Sequence, residues 1–262
     1  RADLAQLAGN YPPPPGESEI VGLEAAGRVV ALGPGVSSGL GMAACALLPG
    51  GGYAQYVAVP ADQLVELPAG WTFEEAAGFP ETAFTAFLNL FMEAGLQPGE
   101  RVLVHGGASG VGTAAIVQAK LAGATVVVTA GGEAKLSACR ALGADLTIDR
   151  HAGPWLETVK RELGGVDVIL DMVGKDYLEQ NVAALATGGR LVCISTLSGR
   201  VGPLDIGRLM VKRARVIGST LRSRPAAEKV RIRAAFLERF GEHLSSDVLK
   251  PVLDSVHDWT SV

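Results

Sequence analysis

Four glycines crowd into the run Gly106-Gly107-Ala108-Ser109-Gly110-Val111-Gly112, directly after the apolar stretch Arg101-Val102-Leu103-Val104-His105. Glycine lets a chain turn tightly and bring its backbone against an anion. With a helix opening near Gly110, the unpaired N–H groups of its first turn face the same anion, and a pyrophosphate suits them. Ser109, Gly110, Val111 and Gly112 are the candidate contacts. The strict G-x-G-x-x-G spacing fails, because Ser109 takes the middle position. A generic glycine turn is the competing reading; a strand before the turn and a helix after it favour dinucleotide binding.

A second signal lies one strand further on. Sites for a free ribose 2′-OH usually carry an acid at the end of the next strand, about 20 residues on. Here that strand ends Thr129-Ala130-Gly131-Gly132 without one, and Glu133 falls on the opening of the following helix, where it also suits the dipole. Lys135 and Arg150 stand where a 2′-phosphate would be met, with Gly131 beside them. A charge-assisted hydrogen bond is worth about 1.5–3 kcal/mol, roughly a 10- to 150-fold preference. NADPH is therefore expected over NADH; for either cation, a solvated surface position is the plainer alternative. No metal signal accompanies these residues. Cys45, Cys139 and Cys193 lie far apart without C-x-x-C, and His105, His151, His243 and His257 are equally dispersed. The odd cysteine count fits a reducing, cytoplasmic setting.

The elements that must position these groups are legible from periodicity and punctuation. Strand-like runs at 101–105, 125–129, 144–148, 166–170, 189–194 and 215–219 alternate with helical ones at 110–122, 133–142, 155–163 and 177–185, which argues an α/β doubly wound parallel sheet. The first 70 residues are rich in Gly and Pro, with β-type runs at 28–32 and 53–59, and suggest a small all-β unit. Thr72 before Glu74-Glu75 reads as a helix N-cap, with Pro80 interrupting the helical stretch and Gly95 ending it. A charged amphipathic helix over 226–240 is expected to leave the sheet.

The chain has 262 residues, enough for one large domain or two modest ones. Hydrophobic residues at 48% and charged ones at 19% fit a globular fold rather than a disordered chain. A net charge of −4 with no Lys/Arg block gives no footprint for nucleic acid, and no apolar run is long enough for a bilayer. No secretion or targeting segment is visible at Arg1-Ala2-Asp3-Leu4, which lacks an initiator Met.

Taken in order, these motifs resemble the zinc-independent quinone oxidoreductases of the medium-chain dehydrogenase/reductase superfamily, near the tumour-suppressor-inducible subgroup. The resemblance rests on Tyr11-Pro12-Pro13-Pro14-Pro15-Gly16, Gly22-Leu23-Glu24-Ala25-Ala26-Gly27, Ala46-Leu47-Leu48-Pro49-Gly50-Gly51-Gly52-Tyr53, the glycine-rich turn, Val128-Thr129-Ala130-Gly131 and Leu221-Arg222-Ser223-Arg224. It implies a partial GroES-like β-barrel domain at 1–84, a Rossmann NADPH-binding domain at 85–221, and a return segment at 222–262. Zinc relatives carry Gly-His-Glu where this chain has Gly22-Leu23-Glu24; leucine cannot ligate zinc, so no metal is expected, and Glu24 is left as a structural carboxylate.

The resemblance further implies reduction of a quinone from the nicotinamide in a crevice between the two domains. Tyr11 is the implied cleft tyrosine, against a plainer reading as a tyrosine packed on a proline loop. Ser109 is implied to bond the cofactor. Thr85 is implied near the nicotinamide half, or else bonded to its own helix backbone. Val173 and Gly174 are implied to edge the adenosine. Arg150 replaces the family's tyrosine near the 2′-phosphate. The strand at 215–219 is implied to pair two copies into a homodimer. The family also has strands before this segment and a helix and strand after it, so the resemblance implies a chain shortened at both ends. An enoyl-thioester reductase of the same superfamily and an NADPH-binding protein without turnover remain the rivals.

Overall fold

The computed structural model describes residues 2–258 and residue 260. In chain order the first elements are α1 (Ala2–Leu7), β1 (Glu24–Arg28), β2 (Ala43–Leu47), β3 (Val65–Glu66), α2 (Phe73–Ala77) and α3 (Pro80–Phe87), the last continuing as a wider π-type turn over Leu88–Glu93. Then come β4 (Arg101–His105), α4 (Gly110–Leu121), β5 (Thr125–Ala130), α5 (Glu133–Ala141), β6 (Leu146–Asp149), α6 (Trp155–Leu163), β7 (Val166–Asp171), α7 (Leu178–Ala184), β8 (Leu185–Cys193), α8 (Ile206–Lys212), β9 (Arg215–Gly218) and α9 (Ala226–Phe240). The chain divides into two compact units: residues up to Phe84 together with those from Leu221 onward, and Thr85–Thr220 between them.

The second unit is an α/β layer fold. Its six strands run parallel in the order β6-β5-β4-β7-β8-β9. The central strands β4, β5 and β7 are apolar on both faces, as a covered parallel sheet requires. Val102, Val104, Val126, Val128, Val168 and Leu170 enter one core with Ile116 and Leu136. Leu103, Val127 and Ile169 enter the opposite core with Trp155 and Val159. Because all six strands are parallel, their carboxyl ends, and the turns after them, share one edge of the sheet. Arg190 closes the end of the long helix that opens this unit. Its guanidinium donates to Ala94 O at 2.7 Å and Gly95 O at 3.1 Å while pairing with both carboxylate oxygens of Glu100.

The first unit has a three-stranded antiparallel sheet, order β1-β2-β3. Its core is aromatic: Trp71 stands edge-on to Phe79 at 5.2 Å, and Phe236 of α9 packs on Phe79 and Phe84 at 5.6 and 5.4 Å. The helix at 226–240 thus leaves the parallel sheet for this unit. Thr72 and Glu75 form a reciprocal capping box at the start of α2.

Two expectations fail here. The run at 28–32 is not a strand; the strand before it, β1, ends at Arg28. Residues 53–59 also form no strand, and Tyr53, Tyr56 and Val57 are exposed. Alternation supplies a β face, but a strand also needs a neighbour to take its N–H and C=O groups. None of the described strands lies beside this run. Periodicity does not announce the short helices α1 and α8; α8 is started by Asp205, whose carboxylate accepts the Arg208 N–H at 2.8 Å. Among the described residues, no helix is long and apolar enough to cross a membrane.

Candidate functional site

The shared edge of the parallel sheet gathers most of the sequence candidates. After β4 the chain reverses at Gly106, where φ is +66°. Ser109 is the N-cap of α4, and its hydroxyl oxygen accepts the Gly112 N–H at 3.1 Å. Its role in the fold is therefore to start the helix. The N–H groups of Gly110 and Val111 have no partner among the described residues, and they open at the helix N-terminus where an anion is favoured. The turn closes because two glycines allow close approach, Gly112 to backbone and Gly107 to a side chain of β5. A Cβ on Gly112 would lie 2.4 Å from Gly106 O, and one on Gly107 would lie 2.7 Å from Val128 Cβ.

The end of β5 presents Gly131, and a Cβ there would meet His151 Nε2 at 2.8 Å and Arg150 Nε at 3.1 Å. Lys135 lies one turn into α5, exposed. Glu133 is tied to Arg140 on the same helix, which also donates to Thr147 Oγ1 at 2.8 Å. Two acids lie near the end of β5, and both are engaged: Glu133 by Arg140, and Asp149, the register partner of Ala130, by the His151 N–H at 2.9 Å. Arg150 and Gly131 meet at this corner of the sheet edge, and Lys135 stands on the helix that follows.

The loop after β7 is shaped by a residue that lies outside the sequence motifs. The Asp171 carboxylate, wholly buried, accepts the Val173 N–H at 2.8 Å and the Gly174 N–H at 3.0 Å. Burial raises its pKa. Gly174 has φ +89° and passes within contact of the following loop, where a Cβ would lie 3.0 Å from Gly199 O. An acid closing a strand three positions before a glycine is an Asx-turn pattern, a signal present in the sequence itself. His105 is also wholly buried, held by Thr129 Oγ1 at 2.9 Å and Asn181 Oδ1 at 2.7 Å beneath the rings of Trp155 and Tyr177. Burial pushes its pKa down to about 4, so it is neutral. Thr85 lies on α3, buried, with its carbonyl accepting the Asn89 amide at 2.7 Å.

Tyr11 belongs to the other unit. Arg222, 5% exposed, stacks its guanidinium 5.0 Å from the Tyr11 ring and donates to Tyr11 O at 3.0 Å, Pro49 O at 2.8 Å and Gln6 Oε1 at 2.7 Å. Burial raises the Tyr11 hydroxyl pKa against the opposing pull of Arg222, so the hydroxyl stays protonated. In the same unit Leu23 is 6% exposed. Among the described residues, no group of three His, Cys, Asp or Glu side chains could hold a metal ion. The described residues offer no ligand set for zinc.

Glu24 accepts the Glu81 N–H at 2.9 Å, at the start of α3. Burial pushes its carboxyl pKa up to about 8, against that hydrogen bond. Between the ordinary carboxyl range and pH 8 the folded chain holds a proton that the unfolded chain releases, so this group's contribution to stability falls as pH rises through that window. The Glu24→Gln chain keeps an oxygen for Glu81 and is expected to show a flatter stability profile between pH 5 and 8. Denaturant midpoints at stepped pH check this; parallel profiles for both chains would refute it.

Two family models match the chain: an alcohol dehydrogenase GroES-like domain over residues 1–69 and a zinc-binding dehydrogenase over residues 110–236. Polyketide synthase GfsB of Streptomyces halstedii is 38% identical over 192 residues, 72% of this chain and 3% of that protein. The 2-haloacrylate reductase of a Burkholderia species is 34% identical over 213 residues, 79% of this chain and 63% of that protein. The chain therefore spans less than two thirds of either relative. Among solved structures, the quinone oxidoreductase of Thermus thermophilus, described also in complex with NADPH, is 36% identical with a TM-score of 0.70, covering 81% of this chain and 67% of that one.

Proposed function

The chain belongs to the medium-chain dehydrogenase/reductase superfamily, an oxidoreductase family, and on that premise we propose that it binds NADPH and reduces quinones without zinc. The observation that carries the reading is the corner at the end of β5. It sets Arg150 against a bare Gly131, with Lys135 exposed in the first turn of α5 and Glu133 engaged by Arg140. That set suits a 2′-phosphate, and the Asp149 carboxylate beside it is taken up by backbone N–H groups rather than left for a free 2′-OH. The similarity to a quinone oxidoreductase described with NADPH points the same way.

In this reading Gly110 and Val111 hold the pyrophosphate through their open N–H groups, while Ser109 and Gly112 keep that helix end in shape. Val173 and Gly174, fastened by Asp171, border the adenosine, and Thr85 is assigned to the nicotinamide half. When bound, the nicotinamide supplies hydride equivalents. A quinone takes a hydride on oxygen or carbon and a proton from solvent to give the hydroquinone, so no buried acid is required of the chain. Tyr11 is assigned to the substrate, with its protonated hydroxyl positioned through Arg222. Leu23 in place of a ligand supports chemistry without metal.

The test is a titration of nicotinamide fluorescence with NADPH and NADH, and then NADPH oxidation with a panel of quinones and enoyl thioesters. Tight NADPH binding with turnover on quinones is expected. A second reading, reduction of a polarised carbon–carbon double bond, draws on the similarity to 2-haloacrylate reductase and to a polyketide synthase. Turnover confined to enoyl thioesters would select it. Binding without oxidation of NADPH by any acceptor would leave a silent cofactor-binding protein.

Lys135→Ala is expected to weaken NADPH about tenfold and leave NADH within twofold, the loss of one charge-assisted hydrogen bond. An unchanged ratio of the two dissociation constants would defeat the assignment. β9 is an edge strand with Val216 exposed, next in sequence to exposed Met210 and Val211 of α8. An unpaired edge with apolar cover supports a homodimer. Sedimentation at micromolar concentration is expected to give twice the chain mass, and a Val216→Lys chain should sediment as a monomer.

A further inference from the structure

The loop after β6 carries an imidazole that the proposed cofactor contacts leave unused. His151 Nε2 and Arg150 Nε both reach the space that a Cβ on Gly131 would fill, at 2.8 and 3.1 Å. Two cation-capable side chains therefore fold over one bare stretch of backbone at the end of β5. The loop holds them there. Ala130 and Asp149 are register partners, and Asp149 Oδ1 accepts the His151 N–H at 2.9 Å. Among the described residues, neither the His151 nor the Arg150 side chain forms a hydrogen bond or ion pair. Asp149 interacts electrostatically with both side chains and Tyr177 with Arg150, while Lys135 and Glu133, the latter held by Arg140, stand on α5. The Asp149 carboxylate opposes an anion, but it is turned to the backbone N–H groups of His151 and Gly132.

We infer that His151 is a specificity-determining residue: with Arg150 it closes over Gly131 onto the 2′-phosphate of the adenosine ribose and favours NADPH over NADH. The inference rests on the dinucleotide reading under Proposed function and deepens it. A 2′-phosphate needs several donors, and an imidazole at this place adds a donor that a free 2′-OH does not need. The bare backbone of Gly131 leaves room for both side chains, and a methyl group there would push them aside.

The test uses calorimetric titration of the full chain with NADPH, NADH, 2′,5′-ADP and 5′-AMP. His151→Gln is expected to weaken NADPH and 2′,5′-ADP about fivefold to tenfold and to leave NADH and 5′-AMP within twofold. His151→Lys should retain the preference, because it keeps an N–H donor at that place. Gly131→Ala should lose the preference, because its methyl group displaces both side chains. His151 is exposed, so its replacement leaves the core intact. Equal losses for phosphorylated and unphosphorylated ligands in His151→Gln, or no loss at all, would overturn the inference while the dinucleotide reading stands. An unsubstituted chain that binds neither NADPH nor NADH would overturn both.

Discussion

Gly112→Ala is expected to lose NADPH binding by about 100-fold or more, the largest effect on function of any single methyl group in this chain. The added Cβ would fall 2.4 Å from Gly106 O and 2.7 Å from Gly107 O. Both are backbone atoms of the turn itself, so no flexible side chain can give way. Either α4 moves outward or the turn opens, and each displaces the Gly110 and Val111 N–H groups. A displacement of about 1 Å in a positioned site costs on the order of 100-fold. The same strain should lower stability, because Gly112 is buried against the turn after β4. Gly33→Ala is the control, since nothing lies within 4 Å of its Cβ position. Fluorescence titration and thermal unfolding of both chains give the result. A Gly112→Ala chain that binds NADPH within a few-fold of the parent would mean that the turn does not hold the cofactor.

The largest expected effect on stability is in the other unit. Arg222→Leu should cost about 3–5 kcal/mol. Three half-buried acceptors, Gln6 Oε1, Tyr11 O and Pro49 O, lose their donor at once, and a fully buried orphan would cost about 1–3 kcal/mol each. The stacking on the Tyr11 ring goes with them. Arg222→Lys should recover little, because a single ammonium cannot reproduce three donors in a fixed fork. Since the same guanidinium holds the Tyr11 loop, quinone turnover in folded Arg222→Lys should fall more than NADPH affinity does. Urea unfolding monitored by tryptophan fluorescence measures the first effect. A midpoint shift worth less than about 1 kcal/mol would show that Arg222 is not what joins these segments.

Local signals placed the central elements. β4 over 101–105, α6 over 155–163 and α9 over 226–240 stand where hydrophobic periodicity put them. Each rests on contacts within one turn or one strand: a β-branched apolar run, a stripe of Trp155 and Val159, a proline opening a charged helix. Thr72 likewise announced its helix, because a cap and its N3 partner are three residues apart. The glycine-rich turn could be read as an anion site for the same reason, since the strand, turn and helix are consecutive.

What the sequence left open depends on residues that meet only after folding. Residues 53–59 have the pattern of a strand, but the pattern cannot say whether a neighbour will accept their hydrogen bonds. Gly107 looks like one more flexible glycine until Val128 is set against it, 2.7 Å from its would-be Cβ. Arg222 looks like a surface cation in a polar run until Gln6, Tyr11 and Pro49 surround it. Gly131 and His151, 20 positions apart, become neighbours through the parallel pairing of β5 with β6. Composition, caps and periodicity are properties of short windows of chain. Close approach, buried hydrogen bonding and the meeting of strand ends belong to pairs that are distant in sequence, and the tertiary structure alone brings those pairs together.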